Sequence, residues 1–308
     1  MNVWITGAKG FIGRHLVRSV AGSGHHAHGL GHGALDEAER HQLGLQNWLN
    51  GEIDSANLSA LMSRAGAPDT IFHLAGGSSV GLSISQPLED FSRTVDTTAR
   101  LLEWMRIYAP ECQLIAVSSA AAYGADHEGP IAEEANLTPM SPYGRHKLMM
   151  EQLCESYTLT FGLRTTVVRL FSVYGAGLRK QLLWDICSRL QQDSSTLFLG
   201  GTGDEVRDWT DVRDVVRLLI SIAIAADKCS SVVNGGSGIG TKVSAITRSL
   251  ISCWGSQTTV KYSGDIRAGD PTSLVADVTR LRALPFEWRV PVEQGISDYV
   301  SWFKGQAR

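Results

Sequence analysis

The chain places a phenol and an ammonium four residues apart, at Tyr143 and Lys147 of the stretch SPYGRHK. Ser141 suits a helix N-cap and Pro142 the first helical position, which predicts a helix from Pro142 to about Phe161 with both side chains on one face. A tyrosine is almost fully protonated at neutral pH, with an ordinary pKa of about 10. A nearby ammonium and a helix N-terminus both favour the phenolate, which equips Tyr143 to exchange a proton with a carbinol or carbonyl oxygen. Two more hydroxyls, Ser118 and Ser119, end an apolar run in VSSAAAYG, where a parallel strand opens on a ligand crevice. Taken singly, the serine pair also fits a turn, and the Tyr-Lys spacing fits a surface helix.

A second constellation stands near the start of the chain. TGAKGFIG puts Gly7, Gly10 and Gly13 directly after the apolar run NVWIT and at the mouth of a helix. Without side chains there, the backbone turns tightly, its N–H groups approach a pyrophosphate, and the helix N-terminus adds positive potential. The surrounding strand-helix-strand pattern favours a dinucleotide site over a plain turn. Which dinucleotide depends on the end of the second strand, where an acidic residue holds the ribose 2′-hydroxyl. That position reads as Gly31 followed by His32, with Asp36 and Glu37 beyond. Lys9 and Arg14 flank the glycines and either neutralise a 2′-phosphate or stand as solvated charges, so NADP is expected ahead of NAD.

The elements that must position these residues alternate. Strands read from NVWIT, HAHGLG, TIFHLAG, QLIAVSS and RTTVVRLFS, and helices from FIGRHLVRSVAGSG and SRTVDTTARLLEWMRIYA. Strands spaced by helices imply a parallel sheet with crossovers, an α/β doubly wound fold of Rossmann type. After Gly175 come the helical segments LRKQLLWDICSRLQQ and DVVRLLISIAIAA and the glycine-rich NGGSGIGT, in a less regular order. The expected division is a dinucleotide-binding domain over 1–174 and a smaller C-terminal substrate lobe over 175–308, with some segments returning to the sheet.

Composition narrows the class. Across 308 residues, 43% are hydrophobic and 19% charged, which fits a globular chain and excludes disorder and collagen-like repeats. With 28 basic and 31 acidic residues there is no global attraction to nucleic acid. The longest apolar run, LLISIAIAA, is too short to span a bilayer. Five scattered cysteines, Cys112, Cys154, Cys187, Cys229 and Cys253, show no metal-ligand spacing and read as buried, reduced thiols. No secretory signal is visible at the N-terminus, so a cytoplasmic location is expected.

TGAKGFIG, HLAG at His73 to Gly76, SSAAAYG at Ser118 to Gly124 and YGRHK at Tyr143 to Lys147 together resemble the extended short-chain dehydrogenase/reductase family, the NAD(P)-dependent epimerases, dehydratases and reductases of nucleotide sugars. The similarity continues through VVRLFSVYG, RDWTDVRD and RAGDP, and so covers nearly the whole chain. It implies that Tyr143 is the acid/base, Lys147 holds the nicotinamide ribose and Ser119 bonds the sugar oxygen. Ser119 rather than Ser118 matches the family serine by its distance from Tyr123. The implied cofactor site comprises Gly7, Lys9, Gly10, Phe11, Ile12 and Gly13, then His32, Glu52 and Ile53, then Leu74, Ala75 and Gly76, with Tyr143 and Lys147. On the substrate side the resemblance implies Ser78, Ser119, Tyr143 and Ser172, with Arg207 and Arg267 on the diphosphate and Asp270 near the nucleotide ribose. Arginine suits diphosphate because its fork bonds two oxygens at once. Arg207 beside Asp208 and Asp211 fits a structural ion pair equally well.

Family dehydratases carry an acidic pair just after the catalytic serine or threonine, where this chain has Ala120 and Ala121. Dehydration is therefore not expected. Reduction of a 4-keto-6-deoxyhexose and 4-epimerisation of a hexose use the same Tyr, Lys and Ser, and the NADP expectation places the reductase slightly ahead. Many epimerases have Asn where this chain has Ser172. A reading of another class is a non-catalytic dinucleotide-binding sensor or scaffold. The resemblance also implies a homodimer formed through a four-helix bundle, with the helix from Pro142 and the one around Arg93 to Tyr108 as candidates.

Overall fold

The structure is a computed structural model that describes residues 1–125, 127–192, 195–225, 232–265 and 270–306. Its first half runs β1 (Asn2–Thr6), α1 (Phe11–Gly22), β2 (His26–Gly31), α2 (Glu37–Leu43), β3 (Asn47–Asn50), α3 (Ser55–Ala65), β4 (Thr70–His73), α4 (Val80–Ser85), α5 (Pro87–Phe91), a π turn (Ser92–Asp96), α6 (Thr97–Tyr108) and β5 (Gln113–Ser119). The second half continues with α7 (Pro142–Phe161), β6 (Arg164–Leu170), β7 (Ser172–Tyr174), α8 (Gln181–Gln191), β8 (Thr196–Leu199), β9 (Val206–Asp211), α9 (Val212–Ile224) and β10 (Val232–Gly235). Then follow β11 (Gly240–Lys242), α10 (Val243–Trp254), β12 (Thr259–Tyr262), β13 (Ser273–Leu274) and α11 (Val292–Gly305).

Seven strands form one parallel sheet in the order β10-β6-β5-β4-β1-β2-β3. Successive side chains on a strand point to opposite faces, and with helices on both faces the strands read as continuous apolar runs. Ile115 and Val117 of β5 join α1 and α9 residues such as Leu16, Val20, Leu218 and Ile222 on one face. Leu114 and Ala116 join Leu58, Leu101, Met105 and Met150 on the other. This is the doubly wound Rossmann-type fold expected from the alternating pattern. A smaller C-terminal lobe holds a sheet of β11, β9, β13 and β7 and the pair β12-β8. Its core is built from α8, α10 and α11 around Leu183, Ile186, Leu250 and Phe303.

Three local differences from the sequence reading have physical causes. RTTVVRLFS is not one strand: the chain leaves the main ladder at Phe171, and β7 pairs with β9 instead. VVNG, read only as the approach to a glycine-rich segment, is β10, which pairs in parallel with β6 from Val232–Val167 to Gly235–Leu170. Cys112, Cys154 and Cys187 are buried, but Cys253 is exposed, and Cys229 lies outside the described residues. Burial pushes the Cys112, Cys154 and Cys187 thiols up to about 12, which leaves them inert. Among the described residues no helix is long and apolar enough to cross a membrane.

One buried ion pair joins the sheet to α7. The Arg169 guanidinium donates to both Glu151 oxygens, Nε at 3.1 Å to each and Nη2 to Oε2 at 2.7 Å. Its Nη1 donates to the Glu133 carbonyl at 2.9 Å, and its plane lies over the Tyr123 ring at 4.8 Å. The Tyr123 hydroxyl in turn donates to Asn234 Oδ1 of β10 at 2.7 Å. Removing one partner leaves an uncompensated buried charge, which destabilises by about 3–5 kcal/mol. Arg169→Leu is therefore expected to lower unfolding free energy by about that amount in urea titrations, and Arg169→Leu combined with Glu151→Leu to recover most of the loss.

Candidate active site

The glycine loop is shaped by two contacts. Gly7 adopts φ +69°, and a Cβ there would lie 2.9 Å from the Ala75 backbone nitrogen. At Gly13 a Cβ would meet the Gly7 carbonyl oxygen at 2.2 Å, so α1 can pack against its own loop only without a side chain at that position. Gly10 is the N-cap of α1 and no side chain caps the helix, so its first N–H groups are free to bind an anion.

Above the loop lies a cleft of about 1410 Å³ at the carboxyl ends of the strands. Gly7, Lys9, Gly10, Phe11, Ile12, Gly13, His32, Glu52, Ile53, Leu74, Ala75, Gly76 and Ser78 all line it. The sequence reading missed other parts of its wall, among them Trp48, Arg93, Arg100, Arg179 and Lys180. A signal existed for some of them: Arg93 and Arg100 are seven residues apart, two helical turns, and Arg179-Lys180 is a dibasic pair. Lys180 Nζ donates to the Ser78 carbonyl at 2.9 Å and so ties the second half of the chain to the rim of the first.

The two cations flanking the glycines are engaged with backbone. Lys9 Nζ donates to the Ala34 carbonyl at 2.6 Å, and Arg14 Nε to the Lys9 carbonyl at 3.0 Å. No carboxylate stands at the end of β2; just beyond β3, Glu52 faces His32 at 3.5 Å on the cleft wall. A carboxylate accepts hydrogen bonds from ribose hydroxyls and repels a phosphate.

Behind the Val117 and Gly76 wall of the cleft, α7 begins at Ser141, which caps it by accepting from the Gly144 N–H at 3.1 Å. The Tyr143 N–H donates to the buried Ser83 hydroxyl of α4 at 3.0 Å, which fixes the first turn. Lys147 is buried, donates to the Val117 carbonyl at 2.9 Å, and lies 5.9 Å from the centre of the Tyr143 ring. Burial lowers the Lys147 ammonium to about 8 against the opposing pull of Asp90 and Glu151. Tyr143 moves the other way from the expectation: burial pushes the phenol up, the Ser119 hydroxyl bonded to it draws it back, and Asp90 pushes it up again. The main cause is burial, and the Lys147 ammonium, turned to the Val117 carbonyl, does not offset it.

The adjacent serines have different surroundings. Ser119 is half-buried at the strand end, while Ser118 is buried and donates to Glu151. His73 is held between the hydroxyls of Thr6 at 2.8 Å and Thr98 at 3.0 Å. Burial, with Lys147 adding to it, lowers this imidazole to about 3, so it is a neutral link between β1, β4 and α6.

Ser119, Tyr143 and Lys147 are not among the residues that line this cleft, although Lys147 touches its Val117, and Ser172, Arg207 and Asp270 do not line it either. Ser172 opens β7 opposite Trp209, and Arg207 lies on β9 opposite Leu274 and Thr241. Burial lowers the Arg207 guanidinium, with Asp270 and Glu205 opposing. Neither neighbouring carboxylate pairs with it: Asp208 accepts from the N–H groups of Ser237, Gly238 and Ala276, and Asp211 pairs with Arg213. Arg267 lies outside the described residues.

The sequence model of the NAD dependent epimerase/dehydratase family matches residues 3–236. The chain is 29% identical to the UDP-glucose 4-epimerase of Lactobacillus helveticus, covering 100% of this chain and 98% of the relative. Against the UDP-glucose 4-epimerase of Azospirillum brasilense the identity is also 29%, over 91% of this chain and 85% of the relative. The structure of MoeE5 in complex with UDP-glucuronic acid and NAD is similar with a TM-score of 0.87 at 29% identity, over 99% of both chains. The UDP-glucose 4-epimerase of Thermotoga maritima, solved with UDP-glucose, is similar with a TM-score of 0.88 at 26% identity, over 100% of both chains.

Two outcomes follow from the site geometry. Gly13→Ala is expected to reduce dinucleotide binding at least tenfold by calorimetric titration, because the added methyl forces loop and helix apart. Native Lys147 releases its proton near pH 8, whereas the unfolded chain keeps it to 10.5. Between those values the unfolded state binds more protons, so stability rises with pH from this group. The unfolding free energy of the wild type relative to Lys147→Met is expected to be flat below pH 8 and to rise from pH 8 to 10.5.

Proposed function

The chain belongs to the NAD dependent epimerase/dehydratase family, within the extended short-chain dehydrogenases/reductases, and from that membership we propose that it is an NAD-dependent UDP-hexose 4-epimerase. The observation that carries this reading is the cleft itself: the glycine loop and the Glu52 carboxylate line it, and its Val117 and Gly76 border Lys147, on the helix that carries Tyr143. Curated relatives matched over nearly their full lengths are named UDP-glucose 4-epimerases, and MoeE5 was solved with NAD. Those comparisons reverse the order expected from sequence, in which reduction with NADPH stood first. The engaged Lys9 and Arg14 and the presence of Glu52 supply the physical reason to favour NAD.

Bound NAD supplies an acceptor, and later a donor, of hydride at carbon 4. With the cofactor bound, Tyr143 as the phenolate would take the proton of the 4-hydroxyl and would later return it to the same oxygen. Ser119 holds that oxygen by hydrogen bond while its charge changes, and Lys147 keeps a positive charge beneath the pair. Ala120 and Ala121 offer no carboxylate for removing water, so the sugar keeps its substituents. On the substrate side, Ser78 at the cleft rim and Ser172, Arg207, Arg267 and Asp270 of the second half are assigned to the nucleotide diphosphate and sugar. A homodimer through α6 and α7 completes the proposal, supported by exposed Ile107, Tyr108, Met149, Leu159 and Phe161 on these helices. Such a dimer sediments at twice the monomer mass.

The purified protein is expected to release NAD on denaturation and to interconvert UDP-glucose and UDP-galactose without added reductant. Tyr143→Phe is expected to lose about 10²–10⁴-fold in turnover while retaining NAD. Stoichiometric NADPH consumption with a 4-keto sugar, and no epimerisation, would overturn the reading in favour of the reductase.

A further inference from the structure

Strand β2 ends on a glycine, and the space beside it is filled by an indole. Trp48 of β3 stands directly across the ladder from Gly29 of β2. A Cβ on Gly29 would lie 2.8 Å from Cε3 of Trp48 and 3.1 Å from Cζ3, and one on Gly31 would lie 3.4 Å from Cη2. Residues i and i+2 of a strand face the same side of the sheet. The six-membered ring of Trp48 therefore runs along β2 over two positions that leave it room. Its Nε1 donates to the Gly33 carbonyl at 3.1 Å, and the Gly33 N–H donates to Asn50 Oδ1 at 2.9 Å. With Lys9 bonded to the Ala34 carbonyl, the turn after β2 is held by three side chains from outside it.

That turn borders the cleft. Gly31, His32, Trp48 and Glu52 line it on the β2–β3 side of the glycine loop, and Ala75 and Val117 on the β4–β5 side. Among the described residues Trp48 is the one tryptophan on this wall, half-buried, with its nitrogen bonded and its ring against backbone. Trp4 and Trp104 instead stack on each other in the core, at 5.4 Å between ring centres. A pyrophosphate held at the N-terminus of α1 sends the two halves of a dinucleotide to opposite sides of the loop. Lys147, bonded to the Val117 carbonyl, marks the β4–β5 side for the nicotinamide, which leaves the β2–β3 side for adenosine.

We propose that Trp48 is a cofactor-binding residue whose indole receives the adenine of the dinucleotide, in place of a charged contact from β2. Every base has a π face, and a ring already fixed by its neighbours loses little freedom when a base settles on it. An aromatic ring over a strand glycine also serves packing alone. The two roles differ in what they require, since packing needs apolar bulk and stacking needs a flat π face. The inference rests on the dinucleotide site of the reading above.

The test contains no sugar nucleotide, so its failure is separate from failure of the epimerase reading. Protein loaded with NAD is mixed with excess isotopically labelled NAD, and the exchange of bound for labelled nucleotide is followed. Where exchange outruns mixing, the dissociation constant for NAD is read by calorimetric titration instead. Trp48→Leu keeps apolar bulk without a π face, and its exchange rate or dissociation constant is expected to rise roughly 5–150-fold. Trp48→Phe, which also lacks the N–H to Gly33, is expected to stay within about threefold of wild type. A folded Trp48→Leu that holds no NAD, beside a Trp48→Phe that does, supports the proposal equally. Equal behaviour of the two variants, at the wild-type level or both far from it, would overturn it. Should Trp48→Leu not fold, Trp48→Met takes its place as the variant without a ring. If neither folds, or Trp48→Phe does not, Trp48 is a packing residue and the proposal fails. A wild type that binds no NAD overturns the proposal and the dinucleotide site together.

Discussion

The guanidinium of Arg169 and the carboxylate of Glu151 meet where neither reaches water, and the register of the site follows from that meeting. Glu151 is four residues after Lys147 on α7, and it also accepts from Ser118, which precedes Ser119 on β5. One ion pair therefore sets how far α7 slides along the ends of β5 and β6. Buried pairs tolerate poor geometry badly, since each charge lost its hydration on folding. Here the fork is bidentate, Nε to Oε1 and Nη2 to Oε2, and Nη1 donates to the Glu133 carbonyl. Displacing α7 by one turn would leave both charges uncovered, so Tyr143 and Ser119 are brought together by a contact neither of them makes.

Around that anchor the groups of the site are pulled in opposite directions by desolvation and by one another. Burial drives the phenol and the ammonium toward neutrality, and two carboxylates resist it for the ammonium. His73, the most enclosed of the ionisable groups beside Lys147, yields completely and becomes a hydrogen-bonded spacer between two threonines. The glycine loop adds no side-chain charge and works through oriented N–H groups at α1. The result is a site in which few formal charges act, each at short range and in a poorly screening medium.

What could be read from the sequence was what depends on neighbours in the chain. Gly7, Gly10 and Gly13 are legible because a tight turn into a helix is a local demand, and Tyr143 with Lys147 because helical spacing is local too. Ser141 and Pro142 announced the start of α7 for the same reason. Arg93, Arg100, Arg179 and Lys180 come to one cleft wall from two distant parts of the chain, which no spacing rule joins. β10 was missed because four residues ending in Asn-Gly look like a turn until β6 stands beside them. The direction of the Tyr143 shift was missed because spacing puts an ammonium nearby without saying how deeply the phenol is buried. Glu52 was named only through the family resemblance, since no spacing rule ties a residue just beyond β3 to the glycine loop.

The position of β10 also bears on how the molecule is made. Strand β6 borders β5 on one side and β10 on the other, yet 60 residues lie between the end of β7 at Tyr174 and Gly235. Ribosomes add about 5–20 residues per second, so this distance corresponds to roughly 3–12 seconds of synthesis. During that interval the nascent sheet ends at β6, whose TTVVRL segment offers unpaired backbone and apolar side chains. Asn234, which takes the Tyr123 hydroxyl and donates to the Ile131 carbonyl, cannot yet arrive. A sheet that stops at β6 is thus open along one border until the chain reaches β10.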